Sequence, residues 1–321
     1  MKKLLILSAM CMAMTAQATI LRVSNRTNSG APYSNIYDAI SAAEEGDTIM
    51  VDGSNSSYGS VTITKRIVMI GPGYLLNTNG VIAEGSPSAQ ISGIGSNYNG
   101  AAGSIIMGMD ITGTVAFAQP NMVLTRCRIA GDVNINTSAS NCIIHQNYIT
   151  NGRVMCTSTS TTSWAPSPQI TNNIFTKKSN SVTTGLINAI SNGTIAYNTF
   201  TQTFDGDNAP NLKQLTGCTV EHNIFVGEEL TLDGNTLQDN YWSGNGGTFV
   251  LEECTTDRAI KEASESEFYV SDFSGKGAFA GNDPYVISGI PAGPYISDIT
   301  LPTSVEQGQT LKVNVKLGVQ Q

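Results

Sequence analysis

Apolar and polar positions in the middle of the chain recur in short units rather than with a helical period. IMGMDI (106–111), LTRCRI (124–129), IHQNYI (144–149), ITNNIF (170–175), IAYNTF (195–200), VEHNIF (220–225) and LQDNYW (237–242) share one template. It reads aliphatic, any, any, asparagine, any, aliphatic or aromatic. The fourth positions are Met109, Cys127, Asn147, Asn173, Asn198, Asn223 and Asn240, spaced 18, 20, 26, 25, 25 and 17 residues apart. That period is short for a pair of helices, and the intervening segments lack a 3.6-residue pattern. Each unit therefore predicts one coil of a solenoid made of short strands.

If coils stack at the strand spacing of roughly 4.8 Å, each template position becomes a column. The sixth position, Ile111, Ile129, Ile149, Phe175, Phe200, Phe225 and Trp242, predicts a continuous internal stack. The five asparagines Asn147, Asn173, Asn198, Asn223 and Asn240 predict a ladder. Stacked amides can bond to one another along the axis, and Asn tolerates the left-handed backbone of a tight bend, so the bend is expected at these residues. Met109 and Cys127 start the column without that chemistry, so their rungs should be supported differently.

Upstream, residues 34–44 read as a short amphipathic helix with Ser34 as N-cap, Gly46 as stop, and an apolar face of Ile36, Ala39, Ile40 and Ala43. It suits a cap over the first core layer. Strand-like runs follow at 48–51, 61–63 and 67–70. Residues 255–275 break the coil pattern, in the manner of an irregular C-terminal cap. Beyond Pro294, runs at 296–301 and 311–319 predict a hairpin or the remnant of a longer module, being too short for a sandwich.

The opening DAISAAEEGDTIMVDGS…YGSVTITKRIVMIGPG, the coil motif and the segment GAFAGNDPYVISGIPAGP (277–294) resemble bacterial secreted proteins of the pectate-lyase-like superfamily. The resemblance covers about residues 20–294 and implies a right-handed single-stranded parallel β-helix. The expected organisation is a leader over 1–18, a β-helix with its N-terminal cap over 19–294, and a small C-terminal β segment over 295–321. The family includes lyases, hydrolases, adhesins and proteins of no assigned activity, so it constrains fold more than chemistry. In its lyases, basic residues and calcium-bound acids on one face neutralise a uronate and abstract its α-proton. This sequence departs from that pattern, with no such cluster across neighbouring coils.

Composition narrows the partners. MKKLLILSAMCMAMTAQA has the charged, apolar and small-residue regions of a secretory leader, which predicts export. Without Lys2 and Lys3, 15 basic residues face 25 acidic ones, a formal charge of −10. A net acidic chain without a basic run argues against nucleic acid and leaves neutral ligands open. No later stretch approaches the roughly 20 apolar residues of a membrane span. Five cysteines follow the leader without a CxxC, so they read as small buried groups. Cys142 and Cys218 share a column three coils apart, roughly 14 Å, beyond disulfide reach.

Candidate chemistry is sparse. The column before the asparagines reads Gly108, Arg126, Gln146, Asn172, Tyr197, His222 and Asp239. It brings Tyr197, His222 and Asp239 into one file, each about 5 Å from the next, where a proton relay is conceivable. The plainer reading is a polar ladder, since polar residues fill the column and no nucleophile completes it. His145 lies one column earlier and three coils from His222, so no shared metal, and no cofactor, is expected. Asp110 and Arg128 face each other in adjacent coils with Arg126 close by, a surface ion pair. Asp205 and Asp207 sit in an oxygen-rich loop where Ca2+ is conceivable, although the spacing is that of a polar turn. Trp164, in the insertion TSTSTTSWAPSP, either stacks on a sugar or folds back over the coil. Tyr148 and Tyr241 should point outward, where they either extend an aromatic platform or serve as plain strand residues.

Two functions remain. One is a secreted or surface β-helix protein, glycan-associated and without a catalytic site. The other is a polysaccharide lyase or glycoside hydrolase acting on an extracellular polysaccharide. An enzyme of this fold should gather acids, or acids with Lys or Arg, on one face of neighbouring coils. The outward columns here are mostly Thr, Ile, Tyr and Gly, which favours the first.

Overall fold

The computed structural model of the chain describes residues 18–76, 87–156, 164–176, 185–200, 212–225, 231–242, 275–291, 293–300, 310 and 313–320. Nearly all of the expected leader, residues 255–274, Cys254, Asp205 and Asp207 lie outside these residues.

The strands form three parallel sheets of ten, eight and eight members, through which the chain passes in turn. Ile143–His145 lies in the first sheet, Tyr148–Ile149 in the second and Val154–Met155 in the third. Gln169–Thr171 then returns to the first sheet, pairing Ile144 with Ile170. This is the parallel β-helix expected from the repeat. The template's first position is the inward residue of each first-sheet strand, and its sixth is the inward residue of each second-sheet strand. Registers Ile111↔Ile129, Ile129↔Ile149, Ile149↔Phe175, Phe175↔Phe200 and Phe200↔Phe225 are those expected. Phe175, Phe200 and Phe225 are fully buried, with successive ring centroids 4.7 Å apart and planes within 16°. Trp242 ends the stack 4.2 Å above Phe225. Each buried ring contributes about 2–3 kcal/mol over exposure. The third sheet closes the core with Val115, Phe117, Val133, Ile135, Val154 and Ile187.

The asparagine ladder is continuous. Asn147, Asn173 and Asn198 each donate through Nδ2 to the next Asn Oδ1 at 3.0 Å, and Asn223 donates to Asn240 at 2.9 Å. Each Nδ2 also reaches a carbonyl of the preceding coil, such as Ile144 O from Asn173 and Ile170 O from Asn198. Each Oδ1 accepts in addition from the backbone N–H of the previous ladder residue. At Asn173, Asn198 and Asn223 both amide hydrogens and both oxygen lone pairs are thereby occupied. At the second rung a thiol does part of this work: Cys127 Sγ faces Ile106 O at 3.9 Å and Thr125 O at 3.3 Å, while its N–H donates to Asn147 Oδ1. Burial pushes that thiol up to about 12.

One detail differs from expectation. The left-handed residue is not the ladder asparagine but the one before it: Arg126, Gln146, Asn172, Tyr197, His222 and Asp239 have φ between 51° and 55°, and Gly108 has 66°. An asparagine whose side chain must run along the axis from an extended backbone leaves the turn to its neighbour.

The helix is Ile36–Ala42, and Asn35, not Ser34, caps it, its Oδ1 accepting from Asp38 N at 2.8 Å. Ile36, Ala39, Ile40 and Ala43 bury into the same core as the first strands, Ile20–Val23 and Thr48–Val51. Asp47 ties the helix exit to the first strand, accepting from Thr19 N and Glu44 N. At the other end Gly293–Thr300 pairs antiparallel with Asn314–Gln320, so the expected terminal hairpin begins slightly earlier than residue 295. Among the described residues no helix is long and apolar enough to cross a membrane.

Candidate functional site

The bend between the first and second sheets carries the polar column, and the structure brings its upper members together. The Tyr197 and His222 rings stack with centroids 4.8 Å apart and planes 13° from parallel. Asp239 Oδ2 lies 4.0 Å from His222 Nε2, and Glu221 Oε2 lies 4.0 Å from Nδ1. Neither separation is a hydrogen bond, and a relay requires roughly 2.6–3.2 Å. His222 Nδ1 is buried without a hydrogen-bond partner. The file is thus a π-stack flanked by two carboxylates.

Below His222 the column is covered by the chain itself. Residues 275–291 run back along it from the C-terminal coils towards the N-terminal ones. Gly277 N donates to His222 O at 2.8 Å, and Ala278 N to Thr199 Oγ1 at 2.9 Å. Asn172 Nδ2 donates to the carbonyls of Ala278 and Ala280. Gln146 Nε2 donates to Asp283 Oδ1 at 2.8 Å and Pro284 O at 2.6 Å. Tyr74 N donates to Ser288 O, the Tyr74 and Tyr285 hydroxyls bond to each other, and Arg126 Nη1 donates to Ile290 O at 3.1 Å. In this strap, residues 275–291, Gly277, Gly281 and Gly289 adopt the left-handed backbone, with φ of 81°, 82° and 57°, and at two of them, Gly277 and Gly289, a Cβ would clash. A Cβ at Gly289 would overlap the Arg126 carbonyl and the Tyr74 ring, and one at Gly281 would press on Tyr197.

This strap corrects two expectations. Tyr148 projects away from the core, yet it is 6% exposed, enclosed with Tyr74, Ile174, Ala278 and Tyr285 in a second apolar cluster. An outward residue of the second sheet is here an inward residue of the sheet–strap layer. Arg126 turns from Asp110 to lie under the strap, held by Gln146 Oε1 at 2.7 Å. Burial lowers its basicity, partly countered by Asp283. His145, half-buried, contacts Thr171 Oγ1 at 2.8 Å and Asp283 Oδ2 at 2.9 Å, and desolvation pulls its ring below its usual range despite that carboxylate.

The remaining candidates are dispersed. Asp110 and Arg128 pair at 2.9 Å, with Ser88 Oγ donating to the second carboxylate oxygen, but Asp110 is buried rather than on the surface as expected. Trp164 is half-buried against the main core, and Tyr241 is half-buried on the last second-sheet strand. Cys127, Cys142, Cys156 and Cys218 are buried. Among the described residues no group of three or more His, Cys, Asp or Glu side chains is arranged to hold a metal.

Among the described residues, the first position of each strand in the ten-stranded sheet stays partly exposed, whereas the third position is buried at Thr125 and Ala196. One outward column runs in register from Thr48 through Val68, Ile105, Val123, Ile143 and Gln169 to Thr194, Thr219 and Thr236. None of its members is charged or buried. Comparison with protein-family models, curated proteins and solved structures finds no match to this chain.

Proposed function

We propose that the chain is an exported or cell-surface β-helix protein, of pectate-lyase-like descent, that binds an extended neutral polysaccharide and has no catalytic site of its own. The observation that carries this reading is the uncharged column from Thr48 to Thr236. It repeats aliphatic and hydroxyl groups once per coil, and a polymer is a ligand that repeats in the same way. Half-exposed Val, Ile and Thr side chains give apolar contact and hydroxyl hydrogen bonding without attracting a uronate or phosphate. Export rests on the leader, and descent on the opening, coil and closing motifs.

A glycan array combined with assays for reducing sugar and unsaturated uronate on a polysaccharide panel tests the proposal. The expected result is binding of neutral glycans without turnover, lost in Ile143→Lys and Thr194→Lys, which place charge on half-exposed positions. Turnover of any polymer would replace this reading with a lyase or hydrolase. Binding unaffected by both substitutions would move the ligand off this face.

A further inference from the structure

We infer that residues 275–291 are a longitudinal lock that couples coils which would otherwise communicate only with their neighbours. In a solenoid each coil contacts the one before and the one after, so loosening at one rung fades with distance. The strap alters that connectivity. Its contacts start at the His222 rung and end at Gly108, where Pro291 packs. That is five coil steps, about 24 Å at the strand spacing. It is fastened at nearly every rung: to Thr199, to Asn172, to Gln146 and His145, and to Arg126 and Tyr74. It also pins itself, with Tyr285 N donating to Ala278 O and Ala280 N to Gly277 O, so the segment moves as a unit rather than as separate residues. Its apolar underside, Ala278 and Tyr285, completes a cluster containing Tyr148 and Ile174 from successive coils. Lifting one end therefore opens buried apolar surface and orphans donors at rungs well away from that end. The fold gains a device with two states, strap docked with the coils held together, and strap released with the second sheet's outer face uncovered.

Native-state hydrogen exchange on the full chain tests this, because it reads sub-global openings rung by rung. The first variant is Asp283→Ala. It removes the exposed carboxylate at the middle of the strap and leaves the solenoid core intact. The second is Gly289→Val, which unseats the N-terminal-coil end. The comparison is Ile135→Val, a core change on the third sheet, remote from the strap. The lock predicts that in Asp283→Ala the amides of Ile224 and Arg128, on opposite sides of the perturbed rung, both exchange about tenfold faster. In Gly289→Val, Ile224 should respond although Gly289 touches only the Arg126 and Tyr74 region. In Ile135→Val, acceleration should remain in adjacent coils. If Asp283→Ala accelerates exchange only at the His145–Gln146 rung, the lock is refuted and the strap is a set of independent local contacts. Should Gly289→Val fail to fold, Asp283→Ala decides alone.

Discussion

Replacing Asn198 isolates what the amide ladder contributes. Its Nδ2 donates to Ile170 O at 2.7 Å and Asn223 Oδ1 at 3.0 Å, and its Oδ1 accepts from Asn173 N and Nδ2, both at 3.0 Å. The side chain is fully buried. In Asn198→Ala the Asn173 N–H loses its acceptor, and Ile170 O loses its side-chain donor. Each orphan costs about 1–3 kcal/mol, and a small cavity adds to this, giving about 3–5 kcal/mol in all. Asn198→Asp keeps the shape and both acceptor roles but removes both donations. An ionised carboxylate would then face Ile170 O and Asn223 Oδ1. Burial and those oxygens raise the folded-state pKa of the introduced carboxyl, so its protonated form is the one compatible with the fold. The added penalty is therefore small below the unfolded carboxyl value, about 3.9, and grows as pH rises through it towards the raised folded value. Urea unfolding followed by far-UV circular dichroism, at matched pH against the parent chain, measures both effects. A loss in Asn198→Ala below about 1 kcal/mol, or an Asn198→Asp penalty independent of pH, would refute the ladder as a stabilising element.

Three further outcomes are expected. Phe200→Ala, which removes a ring stacked on both sides, should cost about 3–5 kcal/mol in the same assay, and a near-neutral result would contradict the internal register. Asp47 is held below the usual carboxylate range by hydrogen bonds from Glu44 N and Thr19 N. Its stabilisation should be complete above about 3.9 and lost as pH falls through its depressed folded value, and in Asp47→Asn this part of the acid sensitivity disappears from thermal melts. His145 is also depressed, first by burial, with Asp283 opposing and Arg126 assisting. The unfolded chain takes up a proton near pH 6.5 that the folded one resists, so stability falls as pH drops through that value towards the depressed folded one, and His145→Gln should flatten that part of the melting-temperature profile.

The lateral architecture was legible in the sequence because a solenoid writes each column into a fixed template position. Ile111 through Trp242 and Asn147 through Asn240 fell where the spacing put them. The bend was misplaced by one residue, since Asn is a common left-handed residue and its competing role, as an axial hydrogen-bonding rung, outweighed that preference. Tyr148 and Arg126 were misjudged for another reason. Alternation along a strand separates core from non-core but says nothing of a second layer laid over the outer face. That layer comes from residues more than a hundred positions away in sequence, and no local pattern links Asn172 to Ala278 or Arg126 to Ile290. The glycines at 277, 281 and 289 were its one local trace, visible as composition without a partner.

The strap also accounts for the chemistry of the polar column. A left-handed bend disfavours β-branched residues, and every member from Gly108 to Asp239 obeys that limit. Sterics alone would permit Asn or Gly at each rung. The observed identities instead follow the strap's acceptors rung by rung. Arg126 has the reach to find Ile290 O, Gln146 spans Asp283 and Pro284, and Asn172 bridges two carbonyls of a tight turn. Tyr197 supplies a flat ring where Gly281 leaves room for one, and His222 extends that stack by a rung. Variety that resembles a scattered catalytic set is thus better explained as recognition of one irregular peptide by a regular scaffold. On this account Gln146→Leu and Asn172→Leu should lower stability and leave the proposed glycan binding unchanged, whereas substitutions on the Thr48–Thr236 column should do the reverse.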